Sequence, residues 1–174
     1  MKFEDFILST AAISPFLREM AVTAYQSCFP LPASPGAAQE TETALFPLLR
    51  EIGRHAEREM YAATGGVNTH KGAIFTLGLL NAGAGLLYAK NGKLSAKAIL
   101  DEVQNLVGDT LRQELAELKA GEVGKAHGEA VLHRDGAGGV RSAAAKGFPA
   151  LRNVALPLLR QYEAEGRSEE HTSE

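Results

Sequence analysis

Residues 63–80 read ATGGVNTHKGAIFTLGLL: a glycine pair, the string Val67-Asn68-Thr69-His70-Lys71, then a mostly apolar run. Gly65 and Gly66 tolerate the left-handed backbone that commonly ends a helix. Asn68 and Thr69 have the side-chain oxygens that cap the start of one, here at His70 or Lys71. The stretch therefore predicts a helix, a tight polar turn and a second helix. Extending the same periodicity in both directions decides the fold.

Upstream, a helix is expected to start near 41–43 and run to about 63, with Leu45, Leu48, Leu49, Ile52, Ala56 and Met60 on one face. The Pro/Ser/Gly-rich residues 29–36 before it read as a loop. Further back, Phe3, Phe6, Ile7, Ile13, Phe16, Leu17, Met20, Val22 and Tyr25 roughly follow a 3.6 period, and Pro15 either kinks that helix or starts a second. Downstream, the third helix should reach about residue 90. Its Gly72, Gly78, Gly83 and Gly85 lower helix propensity but admit close neighbours. Asn91-Gly92 is a turn, and Ser95 is the expected N-cap of a fourth helix over 96–118, with Ile99, Val103, Leu106, Val107, Leu111, Leu115 and Leu118 in phase. Glycine-rich ground over 121–147, with a short helical piece around Glu129, precedes a last helix over 149–163. No run alternates as strands do and no repeat is evident. The expected fold class is all-α, a multi-helix bundle.

A chain of 174 residues suits one domain that buries about 70% of its unfolded surface. With 45% apolar and 22% charged residues it has an ordinary globular composition. A formal charge of -3, 6% aromatics and no Trp argue against nucleic acid as a partner. The single cysteine, Cys28, excludes an internal disulfide, fits a reducing compartment and reads as a packing residue rather than a nucleophile. The longest apolar region, 73–89, is expected to be too short and too polar to span lipid. The N-terminus has Glu4 and Asp5 early and lacks signal-peptide order, so a cytoplasmic protein with no membrane partner is expected. The last eight residues, RSEEHTSE over 167–174, match the conceptual translation of a common sequencing-library adapter. They are set apart from the domain over 1–166; the other reading is a short acidic terminus.

The turn is where the chemistry concentrates. Free N–H groups and the positive dipole end of the following helix favour an anion. Lys71 adds a point charge, and His70 an imidazole donor. Together they suit a phosphate-bearing ligand. The turn is not a Walker P-loop, because Gly72 follows the lysine where Ser or Thr is needed. The competing reading is a C-cap followed by an N-cap with solvated His and Lys.

Residues well beyond the turn carry a resemblance. Glu57 and Met60 precede Ala63-Thr64 in an E-x-x-M-x-x-A-T pattern, and NTHKG follows. His127-Gly128-Glu129, Gly139-Val140-Arg141, Gly147-Phe148-Pro149 and Leu156-Pro157 come later in order. In these motifs residues 1–165 resemble the triphosphoribosyl-dephospho-CoA synthase family, which serves citrate lyase and malonate decarboxylase. The resemblance implies a transferase joining ATP, as substrate, to 3'-dephospho-CoA with release of adenine. The product, 2'-(5''-triphosphoribosyl)-3'-dephospho-CoA, would pass to a carrier-protein transferase as precursor of an acyl carrier protein's prosthetic group. Mg would accompany the triphosphate, with metal ligands unassigned. Gly66, Asn68, Thr69, His70, Lys71 and Gly72 are then expected to hold phosphates, and Arg141 to bind them bidentately.

Loss of adenine builds oxocarbenium character, so a base for the attacking hydroxyl and an acid for the leaving group are needed. Glu57 and His70 are the expected catalytic residues, Glu57 as base or metal ligand. Its other reading is a solvated helix-face carboxylate beside Arg54 and Arg58. Glu129 is a further candidate, whereas His127 and His133 read as ordinary loop or helix-face residues. Ala143 stands where the family has an acid, and family segments are expected beyond both ends. This piece is therefore expected to be an incomplete domain, inactive or weakly active alone and prone to associate through exposed apolar faces. The alternatives are a non-catalytic nucleotide-binding module and a purely structural helical domain.

Overall fold

The computed structural model describes residues 2–29, 35–119 and 139–170, with side chains undescribed at 35–43, 119 and 166–170. Among the described residues every regular element is helical: α1 (Phe3–Gln26), α2 (Pro35–Ala63), α3 (Lys71–Asn91), α4 (Ala96–Lys119), α5 (Gly139–Ala145), and a π-helical turn (Leu151–Ala155) leading into α6 (Leu156–Glu170). The all-α expectation holds.

α3 is the central element and packs on α1, α2, α4 and α5. Its glycines make that possible. A Cβ on Gly85 would collide with the Ala21 carbonyl and crowd the Tyr25 amide of α1, and one on Gly83 would meet Val103 and the Ile99 carbonyl of α4. Helix α3 is long and apolar enough, by length and composition alone, to cross a membrane, which corrects the expectation of a stretch too short and too polar. Its Ile74, Leu79, Ala82, Leu86 and Leu87 are buried inside the bundle, whereas Leu77 and Tyr88 are exposed.

Two apolar clusters form the core. The larger joins α1, α2, α3, α4 and α5 through residues such as Met20, Leu49, Leu86, Val107 and Ala144. The smaller, Ile13, Ala56, Met60 and Ile74, lies where α1, α2 and α3 meet. Cys28 packs against the larger cluster, as a packing residue should.

Several boundaries differ from expectation. α2 begins at Pro35, six residues ahead of the earliest predicted start at Thr41, because proline is pre-organised for a first helical turn and lacks only an N–H that would have no intrahelical partner there. Leu48, expected on the buried face of α2, is 54% exposed, while Phe46 is buried instead. α1 continues through Pro15 as one helix and buries Ser9, Ile13, Met20 and Ala24, leaving the expected Phe3 and Ile7 exposed. Ser95 caps α4 as predicted, its Oγ accepting from Ala98 N–H at 3.3 Å.

Residues 139–145, expected within glycine-rich loop, form α5. After it Gly147 and Phe148 both take positive φ, 69° and 54°, and reverse the chain into the last helix. A phenylalanine there is strained. Its ring is 4% exposed in the core and its amide donates to Ala143 O at 2.7 Å, which offsets the strain. The last helix runs past the predicted end at 163 to Glu170 and leaves Leu158, Leu159 and Tyr162 exposed. Residues 171–174, His127, Glu129, His133 and the helical piece predicted around Glu129 lie outside the described residues.

Candidate active site

The turn between α2 and α3 closes as its glycines require. Gly65 and Gly66 take φ of 62° and 93°, and the Gly66 amide donates to Tyr61 O at 2.8 Å, a left-handed helix stop. Thr64 lies beneath the turn, its hydroxyl within reach of Met60 O at 2.8 Å and Val67 O at 2.7 Å. Asn68 Oδ1 accepts from the Lys71 amide at 3.2 Å, so Asn68 caps α3 as the capping reading has it.

Thr69 and His70 turn the other way, toward α1. Ser9 is fully buried, and its hydroxyl donates to Asp5 O at 2.6 Å. Thr69 Oγ1 donates to Ser9 Oγ at 2.8 Å, and His70 Nδ1 sits 2.8 Å from Ser9 Oγ and 3.1 Å from Thr69 Oγ1. Both hydroxyl protons are engaged elsewhere, so Nδ1 must be the donor. This assigns the Nδ1–H tautomer to the neutral ring. The Phe6 ring meets the imidazole edge-on, centroids 5.5 Å apart, and the His70 amide donates to Met60 Sδ at 3.1 Å.

Beside the first turns of α3 is a cavity of about 360 Å³. Its apolar lining comes from Met20, Phe46, Leu49, Ile74, Phe75 and Leu79, and its polar lining from Arg50, Arg54, Glu57, Lys71, Glu114 and Arg141. Helices α1 to α5 all contribute. Four cations face two carboxylates on this lining, so the cavity carries an excess of positive charge.

The charges are arranged in pairs. Lys71 Nζ is 3.2 Å from Glu57 Oε2, linking the first turn of α3 to α2. Arg50 Nη2 reaches both oxygens of Glu114, at 2.5 and 2.7 Å, across to α4. The Arg50 guanidinium also lies over the Phe46 ring, 4.2 Å from its centroid. Arg54 pairs with Glu51 on its own helix. Pairs this exposed contribute about 0–1 kcal/mol each, so the charges are available for exchange with a ligand.

Of the residues predicted from sequence, the structure brings Glu57, Lys71 and Arg141 together on one cavity. Arg141 is on a helix rather than the expected loop. Glu57 is not a carboxylate solvated beside Arg54 and Arg58: its partner is Lys71. Gly66 and Asn68 shape the turn, and Gly72 is exposed with open space around its Cα. Gly66, Asn68, Thr69, His70 and Gly72 do not line the cavity, so of the residues expected at the phosphates only Lys71 and Arg141 do. The sequence reading missed Arg50, Arg54 and Glu114. The signal for the first two was the spacing Phe46, Arg50, Gly53, Arg54, Glu57, one face of α2. Glu114 on α4 had none. Among the described residues no group of three or more His, Cys, Asp or Glu is placed to hold a metal.

An all-helical domain with a cationic cavity of small-ligand size at a helix N-terminus is the class that fold and site define. The sequence pattern of the ATP:dephospho-CoA triphosphoribosyl transferase family matches residues 1–173, and the chain belongs to that family. It is similar to 2-(5''-triphosphoribosyl)-3'-dephosphocoenzyme-A synthase of Klebsiella pneumoniae, 35% identical over 158 residues, covering 91% of this chain and 48% of the relative. Its likeness to the Pectobacterium atrosepticum protein of the same name is 37% over 165 residues, 95% of this chain and 50% of the relative. The chain thus spans about half the length of the curated relatives it matches. No solved structure matches it.

Proposed function

We propose that the protein is a transferase that joins ATP to 3'-dephospho-CoA, giving 2'-(5''-triphosphoribosyl)-3'-dephospho-CoA and adenine. The carrying observation is the Lys71–Glu57 pair at the mouth of α3, on a cavity whose other cations are Arg50, Arg54 and Arg141. The triphosphate of ATP draws Lys71 and Arg141 to itself, where the α3 N-terminal amides add to the attraction. Gly66 and Asn68 hold the turn that presents those amides, and Gly72 leaves room for phosphate to approach.

Lys71 then no longer neutralises Glu57. The freed carboxylate takes the proton of the attacking ribose hydroxyl of 3'-dephospho-CoA. That oxygen bonds to C1' of the ATP ribose as the bond to adenine breaks, and the electron pair leaves with the base, which takes up a proton from solvent while Glu57 later returns its own. His70 serves as a positioning residue: with Thr69 it ties the start of α3 to Ser9.

Mg accompanies the triphosphate in this reading. With no group of three potential ligands among the described residues, such an ion would be held chiefly by the substrate phosphates and would neutralise their charge. The family resemblance further supports a product that passes to a carrier-protein transferase serving citrate lyase or malonate decarboxylase. A cytoplasmic protein whose partners are small molecules, not nucleic acid or membrane, completes the reading.

Incubation with ATP and 3'-dephospho-CoA should release adenine one-for-one with product. Substitution Glu57→Gln should lower kcat by about 10²–10⁴-fold with little change in KM for ATP. Lys71→Ala should raise that KM by roughly tenfold or more, the loss of one charge-assisted phosphate contact. ATP binding without adenine release would leave a nucleotide-binding module, and absence of both a structural domain.

A further inference from the structure

Arg50 and Glu114 have no role in the pairing just described, yet they form a close charged contact on the cavity lining. Three observations set them apart. Arg50 Nη2 contacts both Glu114 oxygens, at 2.5 and 2.7 Å, and the pair bridges α2 and α4. The two side chains are about one-third exposed, at 35% and 28%, so neither is sealed in the core. The guanidinium is also supported by the face of Phe46, a residue 4% exposed and itself part of the lining.

We propose that Arg50 is a phosphate-binding residue held in waiting by Glu114, which competes with the incoming polyphosphate for its guanidinium. The proposal rests on the reading of this cavity as a polyphosphate site. Arginine presents a planar fork that matches carboxylate and phosphate alike, so a guanidinium already engaged by a carboxylate can move to phosphate oxygens. Phe46 keeps the guanidinium on the cavity wall while it changes partner, since cation–π attraction does not depend on which anion it contacts. Breaking the Glu114 contact lowers apparent affinity by the fraction of Arg50 that remains paired. Glu114 therefore weakens binding while it stabilises the empty site.

The sign of that effect makes the test. Inorganic tripolyphosphate is titrated calorimetrically into the full chain and its variants, with the unliganded Tm of each. Arg50→Gln should weaken binding about tenfold or more, and Arg50→Lys should recover only part of it. Glu114→Gln should tighten binding about three- to tenfold while lowering the unliganded Tm. In the Arg50→Gln background the gain from Glu114→Gln should shrink, because the competitor has nothing left to hold. If Glu114→Gln fails to fold, Glu114→Asp, which cannot keep both contacts, should tighten binding in the same direction.

Equal or weaker binding by the Glu114 variants overturns the exchange. So does equal tightening with and without Arg50, which would reduce Glu114 to background negative charge. Failure of the wild type to bind tripolyphosphate overturns it too. Tripolyphosphate binding involves no chemistry, so this result and the adenine-release assay fail independently.

Discussion

Ser9 is a polar residue with no exposed surface, on a helix face otherwise made of Ile13, Met20 and Ala24. Its hydroxyl accepts from Thr69 and His70 just ahead of α3, sixty residues or so away in sequence. Replacing it with Ala leaves Thr69 and His70 only their 3.1 Å contact with each other, and the Thr69 hydroxyl proton loses its acceptor in a partly buried place. An unsatisfied group of this kind costs about 1–3 kcal/mol. The Ser9→Ala protein should therefore melt several degrees below wild type, and the His70 ring should lose its bias toward the Nδ1–H tautomer, read from its ¹⁵N chemical shifts. A wild-type Tm with unchanged shifts would show that the cluster holds nothing in place. At this scale the sequence was least informative. NTHKG is conspicuous as a string, but whether a side chain faces the cavity or α1 depends on where α1 docks, and no local spacing encodes that.

At the scale of elements the sequence was most informative. Period, capping residues and glycine stops located α1 to α4 and the last helix, because those signals act within a few residues of where they are written. Errors fell where another local signal, as at Pro35, or a tertiary contact, as in α5, outweighed the rule applied. α2 extends back to Pro35, and α5 forms in glycine-rich sequence whose end is secured by the buried Phe148 and by Arg112 Nη1 donating to Ala145 O at 2.9 Å. The glycines of α3 look alike in sequence and separate by environment. Gly85→Ala forces a methyl into the Ala21 carbonyl and should destabilise by about 1–3 kcal/mol or more, since backbone cannot yield as a side chain can. Gly72→Ala meets open space in a first helical turn and should leave the Tm unchanged or raise it, by up to about 1 kcal/mol of helix propensity. Should the same variant bind tripolyphosphate more weakly, Gly72 is needed for phosphate approach; unchanged binding would remove it from the site. Thermal melts and one titration of the two variants separate these roles.

At the scale of the whole molecule, the cavity exists only where five helices meet, with lining residues from Met20 to Arg141. This is why half the site was legible and half was not: Glu57, Lys71 and Arg141 stand out by motif, whereas Arg50 and Glu114 become a pair only after α2 and α4 have packed. It also links ligand binding to global stability. A ligand that bridges Lys71 on α3, Arg50 on α2 and Arg141 on α5 binds the folded state and has no equivalent in the unfolded chain. At one hundred times its dissociation constant such a ligand stabilises by about 2.7 kcal/mol. For a chain of this length that amounts to roughly 5–11 °C in Tm. Tripolyphosphate and ATP should both produce the shift, adenosine little of it, and Lys71→Ala should halve it or more at the same concentration. A shift of equal size with adenosine and with ATP would mean the apolar lining, not the cations, holds the nucleotide. The charge pairs would then be struts between helices.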